Sequence, residues 1–254
     1  MSGVRLNRAL IAVAVLAFSS VALFAQQLSI APIARTVLAV TSLSSVVDAP
    51  LSFKLSKVEL ASDQTTKYFG PVGFLYVLSG SLAVRTEAGQ RLLKPDDAFL
   101  TAAARTYSLS VSGPEPALFL HFVLARSTEI DQAVEQPPAV VTQLYRTPSS
   151  IPDLRPGRYE FTLTRVSYPH MPPNRPHYRS GAALYYILSG SGLFRADGKT
   201  ETKEAGTPHF EPREWVHQWA NESDAPLVLL QANISEEGAP AVIMTELPPS
   251  GPAR

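Results

Sequence analysis

Five histidines and no cysteine bound the chemistry open to this 254-residue chain. Disulfides, thiolate nucleophiles, iron–sulfur clusters and cysteine-ligated zinc are all removed at once. Any metal would have to be held by imidazole, carboxylate, amide or phenol. Four of the histidines, His170, His177, His209 and His217, fall within a stretch of 50 residues that also holds Arg179, Glu211, Tyr185, Trp215 and Trp219. Two imidazoles and a carboxylate form a minimal metal set. The same imidazoles with a guanidinium form a grip for an anion, since arginine offers a fixed two-pronged donor. The fifth, His121, stands alone in an apolar run and reads as a core residue.

The elements that carry these side chains are short and β-like. Gly181-Ala-Ala-Leu-Tyr-Tyr-Ile-Leu-Ser-Gly190 reads as a strand running into a turn. Gly192–Arg195 continues as a strand towards Asp197-Gly198, a hairpin signal. Alternation along extended chain puts Arg179, Ala183, Tyr185 and Ile187 on one face with His177, and His217 on one face with Trp215 and Trp219. Proline is frequent, 22 residues against 14 glycines, and helical periodicity is weak everywhere.

The chain also repeats itself. Tyr76-Val-Leu-Ser-Gly-Ser-Leu-Ala-Val-Arg85 and Tyr186-Ile-Leu-Ser-Gly-Ser-Gly-Leu-Phe-Arg195 agree at six of ten positions, 110 residues apart. The same offset pairs Pro116–His121 with Pro226–Gln231 and Phe53–Leu60 with Leu163–His170. A constant offset at three places implies a tandem duplication. Residues 1–25 are expected to be a secretory signal: Arg5 and Arg8 precede an apolar run from Ala9 to Phe18, and no acid occurs before Asp48. The expected units are then 26–135 and 136–254. Lys+Arg and Asp+Glu are both 22, so nothing in the charge points to nucleic acid or an anionic membrane.

The second unit resembles a cupin, a small β-barrel of jelly-roll type. Pro176-His-Tyr-Arg-Ser-Gly-Ala-Ala-Leu-Tyr-Tyr-Ile-Leu-Ser-Gly190 follows the spacing of that family's first motif, His-x-His with a following Glu. Pro212-Arg-Glu-Trp-Val-His-Gln-Trp-Ala-Asn221 follows the second, with Glu214 at its glycine position. The resemblance implies an all-β fold of two tandem cupin barrels after the signal segment. It places His177 and His217 at two of four metal positions, with Arg179 where the second histidine and Ala183 where the glutamate would stand. In the first unit Lys67, Phe69, Gly73 and Tyr107 occupy the same four positions, so no metal motif is left there.

Two readings follow. In the first, the exported protein binds a small anionic molecule in the second barrel through His177, Arg179, Tyr185, Trp215, His217 and Trp219. In the second, it is a metal-dependent enzyme of dioxygenase, decarboxylase or isomerase type. His177 and His217 would then hold one iron, manganese, zinc, nickel or copper ion, completed by Glu211, His209 or His170. Either way the expected partner is a small molecule, not nucleic acid. The destination is periplasmic or extracellular with no stable membrane anchor once the signal is cleaved, and the protein is a monomer or homodimer.

Overall fold

The computed structural model describes residues 32–44, 50–132 and 134–247. The expected signal segment, 1–25, lies outside them. Among the described residues the chain forms nineteen β-strands and no helix. They are β1 (Ala34–Leu43), β2 (Leu51–Leu60), β3 (Thr65–Gly70), β4 (Val72–Ser79), β5 (Leu82–Thr86), β6 (Gly89–Leu93), β7 (Ala98–Thr101), β8 (Arg105–Val111), β9 (Ala117–Arg126), β10 (Val140–Arg146), β11 (Tyr159–Tyr168), β12 (His177–Arg179), β13 (Ala182–Ser189), β14 (Ser191–Ala196), β15 (Lys199–Glu204), β16 (Pro208–Glu211), β17 (His217–Ala220), β18 (Leu227–Glu236) and β19 (Val242–Met244).

These strands make two barrels, each of two sheets. The first barrel combines β10-β2-β9-β4-β7 with β3-β8-β5-β6, and the second combines β1-β11-β18-β13-β16 with β15-β14-β17-β12-β19. Each has its own interior. Leu75, Val77, Val84, Leu109 and Phe119 belong to the first. Val166, Tyr185, Phe194, Trp219 and Leu229 belong to the second. A third cluster joins Phe53, Phe74, Phe122 and Leu124 to Phe161, Leu184, Leu230 and Ile234, so the large sheets pack against each other through their outer faces. That double burial explains β9 and β18. A strand covered on both faces has no solvent side to alternate with, and both are buried along nearly their whole length.

The repeat of 110 residues holds for three strands of the large sheets but not for β2. That strand takes against β9 the place that β11 takes against β18 at an offset of 108, so the expected match of Phe53–Leu60 with Leu163–His170 is two residues out of step. Adding it to β4, β7 and β9 gives the bounds of β13, β16 and β18. The register slips between Val77 and Ser79 on β4 and between Ile187 and Ser189 on β13, again 110 apart. After each slip comes a glycine in the left-handed region, Gly80 at φ 72° and Gly190 at φ 76°. A Cβ there would lie 2.2 Å from the Pro116 carbonyl oxygen in one barrel and 2.6 Å from that of Pro226 in the other.

Two strands cross the borders expected from sequence. β1 pairs along its length with β11 and so lies in the second barrel's sheet. β10, just past the first unit, pairs with β2 of the first barrel. Each unit thus lends an edge strand to the other, covering main-chain groups that would otherwise be left open.

The paired glycines carry a prediction. Gly80→Ala and Gly190→Ala each combine a left-handed φ with a main-chain clash, so each is expected to cost about 2 kcal/mol or more. Denaturant unfolding of the two variants checks this, and similar losses in both are expected if the turns are equivalent.

Candidate functional site

β12 and β17 lie side by side in the second barrel, and their pairing sets His177 directly against His217. Each imidazole is oriented by a main-chain carbonyl two residues earlier. His177 Nδ1 donates to the Arg175 oxygen at 2.9 Å, and His217 Nδ1 donates to the Trp215 oxygen at 2.8 Å. This fixes the tautomer and leaves both Nε2 atoms as the reactive side. The ring centroids are 4.4 Å apart, and both residues are buried. Burial first, and then the neighbouring His217, push His177 down to about 4. It is therefore neutral at pH 7, with a lone pair at Nε2.

Beside the pair lies a buried ionic network. Glu211, on β16, is fully buried and faces Ala183 across the strand pair. Directly opposed residues project from the same face. The small side chain at 183 thus leaves the glutamate, one strand over, to supply the carboxylate. Its Oε2 accepts from Arg179 Nε at 3.0 Å and from the Tyr185 hydroxyl at 2.5 Å. Its Oε1 accepts from Trp219 Nε1 at 2.9 Å. Arg179 also donates to the Tyr185 oxygen. His217 Nε2 is 3.0 Å from Oε1 but lies off the hydrogen-bonding axis, so this is an electrostatic contact and Nε2 keeps no partner. Burial would raise the Glu211 carboxyl, but the attraction of His217 and Arg179 outweighs it and holds the group well below the ordinary 4.5. Burial likewise disfavours charge on Arg179, and Tyr185 and Glu211 more than restore it, so the guanidinium stays charged.

The site brings together most of the residues expected from sequence, in altered roles. Arg179, expected to grip a ligand anion, is turned onto Glu211 and Tyr185, because a carboxylate shut off from solvent needs an internal cation. Tyr185 and Trp219 are fully buried parts of the network rather than walls. Trp215 is half-buried at the edge, its ring tilted against Phe194 at 5.0 Å and bonded through Nε1 to Asp197. His209 is buried against Phe194, its Nε2 unpartnered, and is pushed down to about 4 chiefly by burial. His170 is exposed and bonded to the Ser223 carbonyl, outside the barrel, and supplies nothing to the site.

The residues do not fit the metal that the resemblance implies. Every carboxylate oxygen of Glu211 is already accepting from a protein donor, and a guanidinium fills the place of one ligand. What is left is two imidazoles, fewer than the three or more protein ligands usual for such sites. Among the described residues no group of three His, Asp or Glu side chains is placed to hold an ion.

Comparison with known proteins agrees on the fold. Residues 167–232 match the family model described as "Cupin domain". The chain is similar to the structure of AerE from Microcystis aeruginosa at 17% identity and TM-score 0.53, covering 79% of this chain and 99% of that one. It is similar to a Bacillus subtilis oxalate decarboxylase with Mn(II) centres at 14% identity and TM-score 0.54, covering 83% and 78%. At such identities the likeness shows the fold alone. A search of curated proteins gives no significant match.

The network makes stability and pH predictions. Arg179→Met leaves Glu211 charged and unpaired, and Glu211→Gln strands the guanidinium. Each is expected to cost about 3–5 kcal/mol, while the double variant should cost well under their sum. Urea unfolding of the set measures the coupling. His177 and His209, depressed from 6.5 to about 4, favour the folded state fully above pH 6.5 and less as pH falls towards 4, because only the unfolded chain takes up protons there. The loss is about 3 kcal/mol per histidine across that window. Melting temperature should therefore fall below about pH 6.5, and more gently in His209→Gln.

Proposed function

We propose that the second barrel of this chain, whose residues 167–232 match the cupin domain model, binds a small, weakly acidic organic molecule through His177 and His217 without a metal. One observation carries the reading: two buried imidazoles stand side by side, each held by Nδ1 to a carbonyl, with His217 Nε2 facing the Glu211 carboxylate at 3.0 Å and His177 Nε2 in no hydrogen bond among the described residues. A ligand that enters as a carboxylate or phenolate takes up a proton with it, shared with an Nε2 lone pair. The resulting imidazolium–anion pair forms in a dry setting where charge-assisted hydrogen bonds are strong. Arg179 and Glu211 do not touch the ligand. They cancel each other and hold the floor on which Tyr185 and Trp219 are fixed. Trp215 and Phe194 supply the apolar side.

Export is part of the proposal, supported by Arg5, Arg8 and the apolar run after them. The first barrel's part in it is structural, since its large sheet buries the outer face of the second barrel's sheet.

Thermal shift with a panel of aliphatic and aromatic carboxylates and phenols should find a stabilising ligand class. His177→Ala and His217→Ala should each weaken binding by about tenfold or more. Calorimetry at pH 7 in buffers of different ionisation enthalpy should show close to one proton taken up per ligand. Undiminished binding by the double variant would remove the site. Stoichiometric metal in the purified protein, lost in the same double variant, would replace this reading with a metal-dependent one.

A further inference from the structure

The first barrel holds a second buried acid–imidazole pair, made in a different way. His121, on β9, is fully buried, and its Nδ1 bonds to the carboxylate of Glu135, whose side chain is 2% exposed. The Tyr68 ring meets the imidazole edge-on at 4.9 Å, and Thr101 Oγ1 lies 3.5 Å from Nε2. Burial opposes charge on Glu135, but the attraction and hydrogen bond of His121, with a backbone hydrogen bond and Lys54, together outweigh it and keep the carboxyl below its ordinary value. Thr101 is the repeat counterpart of Glu211, so the strand that supplies the second barrel's carboxylate supplies none here.

Glu135 is not part of the barrel wall. It sits on a returning strap, outside the named strands, that lies along β3. Phe69 N–H donates to the Val134 oxygen at 3.3 Å, Gln136 N–H to the Lys67 oxygen at 3.1 Å, and Glu135 bridges Tyr68. Gly70 makes room for it, since a Cβ there would lie 2.6 Å from a Val134 methyl. The second barrel has the matching strap: β19 lies along β12, with Ile243 opposite Tyr178. That strap carries Val242, Ile243 and Met244 and sends in no carboxylate. One barrel's imidazoles are therefore left without an acid from the strap, and the other's imidazole is given one.

We propose that the first barrel is a binding site for short monocarboxylates that the chain fills with its own Glu135. The side chain enters from a strap that belongs to neither sheet, and it ends on a fully buried imidazole, as a bound acid would. A carboxylate of the right length should replace it once it is cut back.

The test is chemical rescue in the full chain. Glu135→Ala removes the atoms of an acetate, and Glu135→Gly those of a propionate. Melting temperature of each variant is followed against formate, acetate, propionate and, as control, chloride at equal ionic strength. The expected result is saturable stabilisation well above that of the unsubstituted protein, with acetate best for Glu135→Ala and propionate best for Glu135→Gly. Adding His121→Leu should abolish it. If the variants do not fold unaided, refolding yield in the same salts is the readout. Rescue no greater than that of the unsubstituted protein, no dependence on length, or rescue that survives loss of His121 would each overturn the proposal. None of these results depends on His177 or His217.

Discussion

A carboxylate with no access to water cannot remain charged unless the protein surrounds it with donors, and Glu211 is such a carboxylate. Three side chains, Arg179, Tyr185 and Trp219, are spent on its two oxygens, and His217 is drawn to within 3.0 Å. Much of the second barrel follows from that demand. Position 183 must be small, because Glu211 faces it across the strand pair. Arg179 must be buried, although a guanidinium is among the costliest groups to dehydrate. Once these groups are committed to one another, the carboxylate is already neutralised by a cation of the chain. The cation at the centre of this barrel is covalently part of the chain.

The same constraint is met differently in the first barrel. β4, β7 and β9 match β13, β16 and β18 in register at a constant offset, down to the slip before each turn glycine. The polar interior does not superpose. There the buried acid comes from the strap and its partner is an imidazole on β9, while the counterpart of that imidazole in the second barrel is Gln231. Strand register is held by main-chain hydrogen bonds, which any sequence can make. Interior charge is held by particular side chains, which must change together or not at all.

The barrels are also tied to each other. Their large sheets share an apolar interface through Phe53, Phe74, Phe161 and Leu230, and β1 and β10 each cross to the other unit. Neither barrel, cut at the border of the repeat, would retain its edge strand or keep its outer face from water.

How much of this was legible in the sequence divides along one line. The duplication, the all-β class, the turn at Gly190 and the inward placement of His177 and His217 could be read from the chain, because each rests on local pattern or constant spacing. Alternation put Arg179 and Tyr185 on one face, and the structure agrees. It could not show that Glu211, thirty-two residues later, lies across from Ala183, nor that Glu135 reaches His121 from outside the barrel. The exchange of β1 and β10 was equally hidden, since their hydrogen bonds are main-chain ones and carry no residue signature. Local conformation and repeat spacing are properties of neighbouring residues and survive in one dimension. Which buried charge meets which partner is decided only when strands distant in sequence close into a barrel and exclude water from between them.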